Sequence, residues 1–190
     1  MQHTTTLKKR NYTPHIICNE NVWEEPELLD LLIKQFADSE EQKHINEHPE
    51  DIEFYENVIE NALQYLWEVQ AHQLTLIKGN PEDKDIKPIN SVYFATMEDP
   101  DSNDIWLIVM QDVYNFHKDI KQFGLDIETA LEMFVSGKFT ESEIASTPNM
   151  GFLGLYLDPK QFEKGKYYLL AKEQHSYGFN FYHYELTETK

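Results

Sequence analysis

Three stretches of this chain bring together side chains able to bind metals, move protons or act as nucleophiles. The first is His44-Ile45-Asn46-Glu47-His48, two imidazoles four apart with a carboxylate between them. Projected from one helical face, such a trio can hold zinc through both histidines and leave the glutamate as general base toward a metal-bound water. The second is the turn EDPDSND, in which Asp99, Asp101 and Asn103 alternate like the first three oxygen ligands of a calcium loop. The third places the lone cysteine, Cys18, three residues after His15, and a catalytic thiolate needs a base within hydrogen-bond reach.

Each pattern also has a plain structural reading. HINEH fits the H-x-x-E-H string and over those five residues resembles the inverzincin metalloproteases. The resemblance implies His44 and His48 as zinc ligands, Glu47 as the base, and a downstream acid such as Glu128 or Glu132 as third ligand. Against it, Pro49 disfavours helical backbone at His48, and a solvated connector accounts for the same residues. The acidic turn departs from a calcium loop at position six, where Asp104 stands for glycine, and at position twelve, where Met110 stands for glutamate. A polar hairpin loop explains it. His15 and Cys18 would face opposite sides of a strand, which leaves Cys18 a buried, inert thiol.

Walker, GxGxxG, GxSxG and HExxH patterns are missing from the sequence, so no cofactor is expected. The aromatics Tyr167, Tyr168, Tyr177, Phe179, Phe181, Tyr182 and Tyr184 lack a neighbouring basic groove and read as sheet packing rather than a platform for bases.

The elements that carry these groups centre on Pro49 to Lys78. There Ile52, Tyr55, Val58, Ile59, Ala62, Leu63, Leu66, Trp67, Leu74 and Ile77 recur three or four apart, which predicts one amphipathic helix over 49–78, about 45 Å long. Proline at its front and Gly79 behind it suit a helix start and stop. SEEQKHINEH, just before, has few apolar residues and reads as a charged connector or a frayed helix extension. Further helices are predicted near 25–37, 112–123 and 127–136, with Pro26, Asp112, Asp126, Gly124 and Gly137 as boundary residues. TESE at 140–143 matches a capping box for a short helical turn.

Runs rich in β-branched and aromatic residues at 91–97 and 105–111 predict adjacent antiparallel strands, the second covered on both faces, with the long helix packed over them. HIIC at 15–18 and the segments 151–157, 166–172 and 179–186 complete the strands. The fold class is α+β, a single domain over 1–190 with a mostly antiparallel sheet of about five strands and a basic N-terminal tip, residues 1–12.

Charge narrows the function. The chain carries 16 basic and 34 acidic side chains, net −18, and three of the bases fall within the first ten residues. Such a surface repels nucleic acid and acidic membranes and steers a basic partner. No apolar run reaches membrane-span length, no secretory leader is evident and one cysteine makes no internal disulfide, so a cytoplasmic setting is expected. The solvent face of the long helix is acidic: Glu53, Glu56 and Glu60 lie three and four apart, and like charges at that spacing cost an isolated helix about 0.2–0.5 kcal/mol per pair. Together with Glu98, Asp99, Asp101 and Asp104 they form the expected partner-binding set. The reading is an acidic binding protein that inhibits a basic partner stoichiometrically, similar in general character to toxin-immunity or anti-defence inhibitors. The alternative is a metal-dependent hydrolase using His44, Glu47 and His48.

Overall fold

The computed structural model describes residues 15–80, 88–102, 104–110, 113–142, 159–175 and 178–190. The N-terminal tip, the strand expected at 151–157, Asn103, Asp112 and Tyr177 lie outside them. Among the described residues, seven strands form one sheet: β1 (His15–Cys18), β2 (Ala71–Lys78), β3 (Asn90–Glu98), β4 (Ile105–Met110), β5 (Thr140–Glu141), β6 (Tyr167–His175) and β7 (Gly178–Leu186). Their order is β1-β4-β3-β2-β6-β7-β5. Only β1 and β4 pair in parallel; the other neighbours are antiparallel. The α+β expectation holds, with two more strands than expected.

Among the described residues, five α-helices flank the sheet. On one face lie α1 (Pro26–Phe36), α2 (Ser39–Glu47) and α3 (Ile52–Gln70). Leu28 and Leu32 of α1 and Ile59, Ala62 and Leu66 of α3 meet Ala95, Met97, Trp106 and Ile108 of the sheet there. On the other face α4 (Val113–Ile120) and α5 (Ile127–Val135) cover Leu74, Leu76, Val92, Phe94, Leu107 and Val109. β3 is thus apolar on both sides, with Val92 and Phe94 against one layer and Ala95 and Met97 against the other, while β2 buries Leu74 and Leu76 on one side and Gln73, Thr75 and Ile77 on the other. β4, buried from Ile105 to Val109, behaves as its apolar run predicts.

The long helix is shorter than its sequence suggests. α3 stops at Gln70, and residues 71–78, expected as its last two turns, are the central strand β2. The turn is immediate: Ala71 takes extended angles, φ −68° and ψ 125°. From there β2 bonds to β3 on one side and β6 on the other. Six consecutive residues, His72 to Ile77, are buried, more than one helical stripe can bury. Gly79, at φ 99°, follows the strand instead of capping a helix.

Two other expectations change. The connector before Pro49 is a helix in its own right: Asp38 caps α2 by accepting the Glu40 and Glu41 amides, and Glu41 returns the bond to the Asp38 amide, a complete capping box. Of the similar box TESE, Thr140 and Glu141 pair with His183 and Tyr182 as the edge strand β5, while Glu143 and the turn expected through Ile144 lie outside the described residues. Elsewhere the boundaries follow the capping residues. Asp126 accepts the Thr129 amide at the start of α5, and Gly124 at φ 73° ends the 3-10 turn after α4. No helix among the described residues is long and apolar enough to cross a membrane.

Candidate functional site

The helices on the α1–α3 face share a bias in charge. Between Asn19 and Gln70 the sequence holds 15 acidic side chains against Lys34 and Lys43, whereas 113–137, which covers the opposite face, holds four acids against Lys118 and Lys121. The negative charge of the protein is thus concentrated on one helical layer. Glu53, Glu56 and Glu60 all project into solvent from α3, because the opposite stripe, Val58, Ile59, Ala62, Leu63 and Leu66, is the buried one. Burying each of the larger apolar side chains contributes about 1.5–3 kcal/mol, which outweighs the few tenths lost to carboxylate repulsion.

The second acidic segment is the β3–β4 hairpin loop. Asp99 is turned inward: one carboxylate oxygen accepts the Asp101 amide at 2.9 Å and the other the Ser102 hydroxyl at 2.8 Å. These bonds hold its carboxyl below the usual range, the Asp101 amide first, and close the loop as an Asx-type turn. Asp104, half-buried, faces His15 at 3.9 Å, whose ring stacks on Trp106. Asp101 and Glu98 are exposed, and the loop is tied to the end of α1, where Lys34 pairs with Asp101 and Gln35 donates to the Glu98 carbonyl. Of the seven acids expected to bind a partner, Asp99 and Asp104 are committed to the fold and the other five are exposed on the acidic layer and its adjoining loop.

The HINEH residues assemble as a clasp between α2 and α3. His44 and His48 approach to 4.9 Å between ring centres, with His48 at the non-helical C-cap that Pro49 imposes. His44 Nε2 lies 2.9 Å from Asp51 and its ring packs on Phe54; His48 Nδ1 lies 3.3 Å from Glu50. The His44 bond is the main cause of the lowered Asp51 pKa. Glu47 pairs instead with Lys43 at 3.8 Å. Glu128 and Glu132 sit on α5, across the sheet. No group of three His, Cys, Asp or Glu among the described residues is arranged to hold a metal ion.

Cys18 ends β1 with its thiol pKa raised, by burial and then by Glu20, the opposite of an activated nucleophile. Two histidines that sequence reasoning left aside prove to be structural. His72, in β2, is buried and its pKa is pushed down to about 4 by desolvation. Its Nδ1 accepts the Gln174 amide at 3.0 Å, so Nε2 carries the proton and donates to Thr96 at 3.1 Å. His183 Nδ1 lies 2.7 Å from the hydroxyl of Ser142. Ser142 is 4 % exposed, too enclosed to meet a substrate, and the bond clasps β5 to β7.

A cleft of about 500 Å³ opens between α1, α2 and α3. Phe36, Val58 and Ala62 form its apolar wall, Tyr65 stands at its mouth, and Gln35, Glu41 and Asn61 supply polar groups. Comparison with protein-family models, with curated proteins and with solved structures gives no match to this chain. The site must be judged on its chemistry: an acidic helical layer with a half-apolar cleft, and no assembled catalytic group among the described residues. Neither Tyr65 nor Glu41 stood out in the sequence. The one available signal was Asp38 three residues before Glu41, the spacing of a capping box.

Proposed function

We propose that this chain is a binding protein that inhibits a basic partner protein stoichiometrically, with the α1–α3 layer as its contact surface. The observation that carries the reading is the charge asymmetry: 15 acids against two bases between Asn19 and Gln70, against four acids and two bases over 113–137 on the opposite helical layer. A one-sided field of this kind orients and accelerates the approach of a cationic surface and discourages acidic competitors. Glu53, Glu56, Glu60, Glu98 and Asp101 supply the exposed carboxylates. The setting is the cytoplasm, and direct contact with nucleic acid or membrane is not part of the mechanism. Toxin-immunity and anti-defence inhibitors share this general character of size and charge.

The test is affinity capture from native lysate, eluting in rising salt, followed by titration of the eluted basic protein with purified chain. One-to-one binding that weakens with salt is expected, as is a loss of affinity and of salt dependence in the triple variant Glu53→Gln, Glu56→Gln, Glu60→Gln. Unchanged affinity and salt slope in that variant would sink the reading.

A further inference from the structure

The cleft between α1, α2 and α3 has a chemistry narrower than acidity. Phe36, Val58 and Ala62 offer an apolar wall suited to a chain of methylenes. Tyr65 is 54 % exposed, with its ring 5.6 Å from that of Phe36 at an angle of 59°, so part of its surface faces solvent at the cleft mouth. The Glu41 carboxylate is held in place, since its Oε2 accepts the Asp38 amide at 2.9 Å as half of the capping box. The Gln35 amide nitrogen is engaged with the Glu98 carbonyl, which leaves its side-chain oxygen as an acceptor. An apolar wall, an aromatic face and a fixed carboxylate in one cleft together match a side chain that is greasy along its length and cationic at its tip.

We propose that this cleft is the anchoring pocket for an arginine side chain of the basic partner. The inference rests on the binding function proposed above and places its energetic centre. Arginine fits better than lysine because a planar, weakly hydrated guanidinium stacks on an aromatic ring and bonds a carboxylate side by side, whereas an ammonium is a strongly hydrated point charge. Charge complementarity argues for a partner protein as the occupant: the cleft lies inside the layer that holds 15 acids against two bases. Val69, 43 % exposed and one turn beyond Tyr65, continues the apolar surface past the cleft, as a macromolecular contact needs. Aromatic and arginine pairs of this type dominate the energy of many interfaces, while surrounding charges govern encounter.

The test is a titration followed by amide NMR, with blocked hexa-arginine as probe and hexa-lysine and hexa-citrulline as controls. Saturable shifts centred on Phe36, Glu41, Val58 and Tyr65 are expected for hexa-arginine, with weaker binding of hexa-lysine and none of hexa-citrulline. Tyr65→Ala should weaken hexa-arginine binding about tenfold, the size of a partly desolvated cation–π contact. Glu41→Gln keeps the capping box while removing the charge, and should weaken binding with no loss of helicity by circular dichroism. If shifts spread evenly over α1–α3 and Tyr65→Ala binds like the parent, the pocket is refuted while the acidic-surface reading stands. Hexa-citrulline binding as well as hexa-arginine also refutes it. If hexa-arginine does not bind even at low salt, both readings fall. Concentration-dependent shifts at the cleft without peptide would assign it to a second copy of the chain and overturn the proposal.

Discussion

His72 offers a quantitative check on the packing of the central strand. In the native state its neutral ring is locked between two hydrogen bonds, accepting from Gln174 and donating to Thr96, with Phe94 at 5.2 Å between ring centres. Protonation would place a charge among apolar rings and set two N–H groups against each other at Nδ1. Desolvation brings the pKa to about 4, against 6.5 in an exposed histidine. The unfolded chain therefore binds a proton between these values that the native chain refuses, and stability rises with pH across that window. The contribution is fully present above pH 6.5 and is lost as pH falls toward 4. A difference of two to three pKa units corresponds to about 3 kcal/mol.

Urea denaturation of the parent and of His72→Asn, at intervals from pH 7 to pH 4.5, isolates the effect. Asparagine can still accept the Gln174 amide but does not titrate. The variant should be less stable at pH 7, and the gap should shrink by about 1.4 kcal/mol per pH unit through most of the window. Carboxylates with lowered pKa, such as Asp51 and Asp126, lose their contribution further into acid and in both proteins. Parallel stability curves for the two proteins would refute the argument. So would a ring resonance of His72 that titrates near 6.5 in the folded state.

Three further outcomes follow from the same structure. Leu66→Ala, at a side chain 2 % exposed under α3, should cost about 2–5 kcal/mol in urea melts, while Glu60→Ala on the solvent face should change stability by less than about 0.5 kcal/mol. Asp38→Ala removes the side-chain half of the α2 capping box, the acceptor of the Glu40 and Glu41 amides, and should cost about 1 kcal/mol, seen as a lowered urea midpoint with an unchanged slope. Chelator treatment should leave the thermal midpoint unchanged, because His44 and His48 are bonded to Asp51 and Glu50; a fall in midpoint restored by zinc would revive the hydrolase alternative.

The sequence disclosed most where a local signal and the tertiary role agreed. α1 begins at Pro26, α5 lies between Asp126 and Gly137, and β3 and β4 pair as their composition suggests. It misled where a segment is buried all round. Along β2, Leu74 and Leu76 face the α4–α5 layer while Ile77 packs with Phe162, Tyr168 and Leu170; the alternation of Gln73, Leu74, Thr75 and Leu76 spans only four residues, and Leu74 and Ile77 happen to continue the helical spacing from Leu66. Two capping-box spellings had different fates. Asp38–Glu41 opens a helix, while Thr140–Glu143 is overridden at its first residues by pairing with β7. The cleft was illegible because it exists only once α1, α2 and α3 are set against each other. Tyr65 alone is one aromatic among many.

The sheet order has a consequence for how the chain is made. β2, the middle strand, finishes at Lys78 and takes its first neighbour from β3 close by, but its second neighbour, β6, begins only at Tyr167. β1 likewise waits for β4, which starts at Ile105. During synthesis this central strand is therefore complete long before its far edge can be closed, and an unpaired strand edge is a template for aggregation. The acid-rich segment that precedes it has by then left the ribosome and confers a strong negative charge on the nascent chain. Mutual repulsion between such half-made molecules protects the waiting strand until the last quarter of the polypeptide arrives to complete the sheet.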